Sequence, residues 1–179
     1  MNSNQETWPQ WATEEIVIEE YNPVWPLLAS ILIRELKTLY KFENESFEHI
    51  GSTAVPDLAA KPIIDIMIAV DNFDDIDAIK FALESENWNL IPPDLMGKDY
   101  QRTFVKVVND KRFAHFHLIL NKDGKAKRHI TFRDALKQDL SLANDYAKLK
   151  TELAEKFRND REGYTDAKSG FIDIALRIR

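Results

Sequence analysis

Hydrophobic and polar residues follow two different periods along this chain. "EIVIEEY", Glu15 to Tyr21, alternates with period two and reads as a short strand. "YNPVWPLLASILIRELKTLYKF" switches to the helical period. Val24, Leu27, Leu28, Ile31, Leu36 and Leu39 form its apolar stripe. Asn22 is its expected cap and Pro23 suits the first position. "ESFEHIG" is the next strand, and "TAVPDLAA" is a short helical turn or loop. "PIIDIMIAV" is apolar on both faces, as a strand in the interior of a sheet is. "NFDDIDAIKFALESENW" reads as a helix with Phe73, Ile76, Ile79, Phe81 and Leu83 available to pack. "WNLI" is a short strand and "PPDLMGKD" a turn-rich loop. "QRTFVKVV" and "RFAHFHLIL" are strands, joined through "NDKR" as a hairpin. From Lys125 onward the pattern is helical, with Ser141 expected to cap one helix and Thr165 or Asp166 another. This order describes an α+β or mixed-sheet α/β protein with a helical C-terminal part.

Two strands carry residues that do not belong in a core. In "PIIDIMIAV", Ile64, Ile66, Ile68 and Val70 share one face, and Asp65 shares the other with Ile63, Met67 and Ala69. A carboxylate placed there needs a cation, several hydrogen bonds or an open cleft. In "RFAHFHLIL", His115 and His117 stand on one face, about 6.6 Å apart along the strand. Two imidazoles at that spacing can converge on one ion or one phosphate. If the two strands are close, Asp65 meets them, with His49 at the rim. A satisfied structural network is the alternative reading of all four.

Gly51 and Ser52 follow "ESFEHI". Glycine lets a backbone approach a ligand closely, and Ser52 can cap a helix start whose free N–H groups suit phosphate. The same pair also fits a plain tight turn. Thr53 and Lys61 are candidates to hold and offset phosphate charge. Arg102 and Arg133 are candidate phosphate contacts or surface arginines, and Lys150 and Lys168 read as helix-surface lysines.

Composition narrows the setting. The 179 residues suit one domain. Residues 1–14 read as an arm pinned by Trp8 and Trp11, and residues 15–179 as a single domain. The net charge of -6 argues against a broad nucleic-acid footprint. "KDGKAKRH", Lys122 to His129, is the densest basic run and reads as a solvated turn and helix start. There is no cysteine, so thiolate chemistry is excluded. No apolar run is long enough to span a bilayer, and the N-terminus lacks a signal-peptide plan. The expected location is the cytoplasm. There is no dinucleotide-binding or Walker-type glycine motif. Oligomeric state is open.

"HIGSTAVPDLAAKPIIDI" resembles the signature of the GrpB family, whose members also occur fused to dephospho-CoA kinase. "EYNPVWP", "HFHLIL", "TFRDAL", "DYAKLK" and "DAKSGFI" fit the same resemblance, which runs from about Tyr21 to the end. It implies a nucleotidyltransferase-like mixed β-sheet flanked by helices. In active members of that superfamily a Gly-Ser pair holds a triphosphate, paired carboxylates on the next strand hold divalent metal, and a third lies on a later strand. Gly51 and Ser52 match the first motif and Asp65 the first carboxylate. Met67 stands where the second is expected, and His115 and His117 where the third is expected. The implied function is a nucleotide- or phosphate-binding protein that transfers a nucleotidyl group from a nucleoside triphosphate to a small acceptor. The alternative is a reduced module that binds a nucleotide or CoA-related ligand, or docks a partner, without chemistry. The implied cofactor is a divalent ion, Mg²⁺, Mn²⁺ or Zn²⁺. Asp65, His115, His117 and His49 are its candidate ligands, the first three also the candidate catalytic groups.

Overall fold

The computed structural model describes residues 9–42 and 46–177. Trp8, the start of "ESFEHIG" and the last two residues lie outside that range. Five strands form one sheet: β1 (Glu48–Ile50), β2 (Ile64–Val70), β3 (Trp88–Leu90), β4 (Gln101–Val108) and β5 (Lys111–Leu120). Their order across the sheet is β1-β2-β5-β4-β3. β2 and β5 run parallel, and the other neighbours are antiparallel. The sheet is therefore mixed, and "PIIDIMIAV" lies in its interior. The turn into β5 uses Asn109 and Asp110, both at positive φ, the conformation a tight hairpin requires.

The even-numbered face of β2 and β5 is the main core. Ile64, Ile66, Ile68, Phe116 and Leu118 pack under helix α1 (Trp25–Leu39) and helix α2 (Ile76–Glu84). The buried residues of α1 are Trp25, Ala29, Leu32 and Leu36. The stripe expected from sequence is thus rotated: Val24, Leu27 and Ile31 are exposed, because the larger Trp25 takes the place against the sheet. Helix α1 also opens later than expected, with Pro26 in its first turn, while the Asn22 side chain accepts from the Val24 N–H in the turn ahead. Phe81 of α2, expected to pack, is 83% exposed. One ionic anchor crosses this layer. Glu35 accepts from Lys106 Nζ at 2.7 Å and from Trp88 Nε1 at 2.8 Å.

The odd-numbered face is covered by helices from the C-terminal part: α4 (Lys125–Gln138), α5 (Leu140–Lys156), α6 (Arg161–Ala167) and α7 (Ser169–Arg177). The expected caps of these helices are displaced. Asp139, not Ser141, caps α5 by accepting from Leu142 N–H, and Asp160 caps α6 by accepting from Gly163 N–H, which leaves Thr165 and Asp166 inside that helix. The "PPDLMGKD" loop contains the four-residue helix α3 (Pro93–Met96), closed by Gly97 in the left-handed region. No helix among the described residues is long and apolar enough to cross a membrane.

"EIVIEEY" is not a strand of the sheet. It is extended and makes one isolated bridge, Glu19 to Ala60. Its alternation serves another purpose: Ile16 and Ile18 pack on Ala154 and Tyr164. Ahead of it, Trp11 does pin the chain. Arg112 donates to the Trp11 and Ala12 carbonyls and stacks on the indole, and Arg161 pairs with Glu14 at 2.7 Å.

The rotated face of α1 predicts an asymmetry. Leu36→Ala removes a side chain with no exposure and should lower stability by about 2–5 kcal/mol in urea unfolding. Leu27→Ala, within the expected stripe, should change it by less than about 0.5 kcal/mol.

Candidate functional site

Strand register decides the site. Asp65 pairs with His115 and Met67 with His117 across the β2–β5 parallel ladder, and Thr103 of β4 pairs with His117. These residues share the odd-numbered face, so Asp65 and both histidines meet as expected. His115 Nδ1 lies 2.9 Å and His117 Nε2 3.3 Å from the same oxygen, Asp65 Oδ1. His117 Nδ1 faces the Gln101 amide and the Thr103 hydroxyl, each at 3.0 Å. The amide is a donor, so Nδ1 accepts and Nε2–H donates to Asp65. Burial pushes the Asp65 carboxyl up, but the hydrogen bonds and charges of the two histidines outweigh it and hold the carboxyl well below the usual carboxylate range. Burial lowers His115 to about 4, against the pull of Asp65. His115 is therefore neutral near pH 7. Its Nδ1–H donates to Asp65, and its Nε2 is a buried acceptor with no hydrogen-bond partner.

Gly51 presses on this carboxylate from the other side. It sits at φ 73°, and a Cβ there would lie 2.6 Å from Asp65 Oδ2. Both facts require glycine. The residues that follow make only a three-residue 3-10 turn, Ser52–Ala54, with Gly51 rather than Ser52 at the capping position. The expected capped helix start is absent because Pro56 and the turn after it carry the chain away. Ser52 and Tyr146 of α5 line the same cavity.

Several expected residues stand elsewhere. His49 pairs with Ile66, on the opposite face from Asp65. Its Nε2 lies 3.0 Å from Thr53 Oγ1, which donates to the Ile63 carbonyl, so His49 does not join the cluster and the Thr53 hydroxyl is already used. Arg102 is on the core face, with its guanidinium over the Phe73 ring and donating to backbone carbonyls. Arg133 ties α4 to β1 through Glu48 at 2.6 Å and the His49 carbonyl. Neither arginine lines the cavity at Asp65.

That cavity holds about 700 Å³. Lys61 lines it. Lys150 and Lys168 line it too, contrary to the helix-surface reading. Lys150 is only 2% exposed, donates to the Ala59 carbonyl and lies over the Tyr146 ring. Lys61 and Lys168 flank the Tyr164 ring at 4.8 and 4.0 Å. Burial, then the neighbouring cations, lowers Lys61 and Lys150 to about 7. Burial lowers Lys168 to about 8. The missed signal was helical phase: Ala143, Tyr146, Lys150 and Ala154 form the buried stripe of α5.

Asp65, His115 and His117 offer one ligand atom each, all within 4.8 Å of one another. One carboxylate and two imidazoles suit a single Zn²⁺, Mn²⁺ or similar ion. The nitrogens that face the carboxylate are His115 Nδ1 and His117 Nε2, so an ion entering the trio would displace the hydrogens they donate to Asp65. The set does not suit the paired Mg²⁺ ions of two-metal catalysis, which need bridging oxygen ligands. Met67, at the second carboxylate position, is buried in an apolar cluster with Ile50, Ile119 and Ala126.

Comparison with known proteins decides the family. The family described as GrpB protein matches residues 15–177. The chain belongs to the GrpB family. A glutamate-rich protein GrpB of Alkalihalophilus pseudofirmus is 28% identical over 164 residues, covering 90% of this chain and 94% of that one. YqkA of Bacillus subtilis is 31% identical over 161 residues, and this GrpB chain spans only 46% of its length. A dephospho-CoA kinase of Mycolicibacterium paratuberculosis is 41% identical over 54 residues, 28% of this chain and 13% of the kinase. The crystal structure of conserved protein GrpB from Enterococcus faecalis superposes with a TM-score of 0.78 at 30% identity, covering 90% of this chain and 96% of that chain. The Cid1 poly(U) polymerase, solved with MgGTP bound, superposes with a TM-score of 0.50 at 12% identity over 77% of this chain and 44% of its own. That likeness gives the GrpB chain a nucleotidyltransferase-like fold.

Gly51→Ala should cost about 1–3 kcal/mol of stability, from positive φ and the clash with Asp65. In combination with Asp65→Ala the cost should shrink by about 1 kcal/mol, read as coupling in a double-mutant cycle by urea unfolding. Additive losses would show that the two residues do not press on each other.

Proposed function

We propose that this GrpB protein binds a nucleoside triphosphate or similar polyphosphate in the Asp65 cavity and transfers a nucleotidyl group from it to a small acceptor. The observation that carries the reading is the buried Lys150. A buried ammonium with no carboxylate partner among the described residues, crowded by Lys61 and Lys168, is costly unless an anion neutralises it. Gly51 and Ser52 line the same cavity. In this reading Lys61, Lys150 and Lys168 take the phosphates, and Asp65, His115 and His117 hold one divalent ion, which supplies Lewis-acid stabilisation when bound. Asp65 is held ionised, and an ion bound there would take the place of the ring hydrogens that His115 and His117 turn toward it. The nucleotidyltransferase-like fold, shared with a polymerase solved with MgGTP, supports the choice of ligand.

A second reading is favoured by Met67. With no second carboxylate, the cavity binds a nucleotide or CoA-related molecule without chemistry. Product analysis on nucleoside triphosphates with Mn²⁺, Zn²⁺ or Mg²⁺ separates the two: a released pyrophosphate supports transfer, and bound but unchanged nucleotide supports the binding module. Calorimetry showing no nucleotide binding with any of these ions would reject both.

Lys150→Met should weaken ATP binding at least about tenfold, a loss of roughly 1.4 kcal/mol, while leaving Tm unchanged or higher, since it removes a buried charge. A fall in Tm with unchanged affinity would make Lys150 structural.

The lowered lysines give a pH signature. At about pH 8 Lys61 and Lys150 are largely neutral, and a bound polyanion favours their charged forms. ATP binding should therefore take up protons, and affinity should rise as pH falls from about 8.5 to 7. Without ligand the sign for stability is opposite. The unfolded chain binds more protons between the lowered values and the ordinary lysine value, so stability should rise with pH across that window. Calorimetry in buffers of different ionisation enthalpy checks the first, and thermal unfolding across pH the second.

A further inference from the structure

The lysines around Lys150 are not the only cations in the cavity. Lys98 and Lys125 also line it, with Arg128. Arg128 is matched by Asp173 at 2.5 Å. Lys98 and Lys125 have no ion-pair partner among the described residues. The Lys125 ammonium lies over the Tyr100 ring at 5.2 Å.

Strand register separates this group from the first. Lys61 precedes β2 and Arg112 opens β5, so both stand at the Asp65–His115 end of the parallel pair. Lys98 and Tyr100 precede β4, and the Tyr100 carbonyl accepts from Leu120 N–H at the far end of β5. Lys125 opens α4 just beyond. From the His115 row to the Leu120 row is five residues, about 16 Å along the strand. Between the two ends the floor is Gln101, Thr103 and His117, polar side chains hydrogen-bonded to one another. The two ends belong to one cavity, which all five lysines line. A chain of net charge -6 has gathered unpaired cations at two separated points of one cavity.

We propose that the Lys98–Lys125 end binds the phosphate group of a second, phosphorylated small molecule while the Lys61–Lys150 end holds the polyphosphate. The identity of the first occupant rests on the function proposed above; the second site does not. An uncharged, hydroxyl-bearing body of the second molecule would lie over Gln101 and Thr103, with its far end near Asp65.

The test uses glycerol 3-phosphate as probe, followed by ³¹P line broadening on the full chain, free and saturated with ATP. Glycerol is the uncharged control. The probe should bind the ATP-saturated protein, and glycerol should not. Lys98→Met with Lys125→Met should weaken the probe at least about fivefold and leave ATP affinity within about twofold. Lys61→Met should do the reverse. The proposal is overturned if ATP displaces the probe, if the probe does not bind, or if the Lys98/Lys125 pair lowers ATP affinity as much as probe affinity. If ATP fails to bind but the probe binds in a Lys98- and Lys125-dependent way, the nucleotide reading falls and this site stands.

Discussion

The site face of this protein depends on one carboxylate being tolerable inside a sheet. Asp65 interrupts a strand of isoleucines, and nothing on that strand can neutralise it. Its oxygen is satisfied instead from the neighbouring strand, by His115 in the paired row and His117 two residues along. That arrangement needs the parallel alignment of β2 with β5, and it needs Gly51, because any larger residue would occupy the space of the second oxygen. The histidines in turn need fixed tautomers, which Gln101 and Thr103 impose on His117. One buried charge thus constrains four segments of chain that are far apart in sequence.

The lysines show the complementary situation. Asp65 is charged and satisfied; Lys150 is buried and crowded by its own kind. A protein that keeps such a group away from acidic partners, while its surface is acidic overall, holds a standing electrostatic deficit in one place. Ion pairs elsewhere are closed locally, as at Glu35–Lys106 and Arg133–Glu48. Around Lys150 that closure is left out.

Much of this was legible in the sequence. Period-two alternation placed Asp65 off the isoleucine face and both histidines together, because strand geometry leaves a side chain only two directions. The mixed sheet, the Asn-Asp hairpin and the helical C-terminal part followed from the same periodicities. What failed did so for identifiable reasons. Ile16 and Ile18 alternate, yet alternation reports a half-buried extended segment and not the partner it lies against. The apolar stripe of α1 does not show its buried face, because Trp25 displaces smaller residues from the sheet. His49 looked like a fourth ligand by proximity in sequence, but it is one residue out of phase with Ile50, which faces Asp65's side. Lysine normally reads as a surface residue, yet the phase of Ala143, Tyr146 and Ala154 points Lys150 inward.

Phe116 stands between His115 and His117, and its ring stacks with Phe47 and Phe104 in the core. Core and site are thus interleaved on a single strand, one residue apart. A one-residue insertion or deletion within β5 would exchange them, turning Phe116 into the polar cavity and imidazoles into the hydrocarbon layer. Divergence of this site can therefore proceed by replacing side chains, but not by changing the length of the strand that carries them. The reading frame of β5 is as much a part of the chemistry as the histidines are.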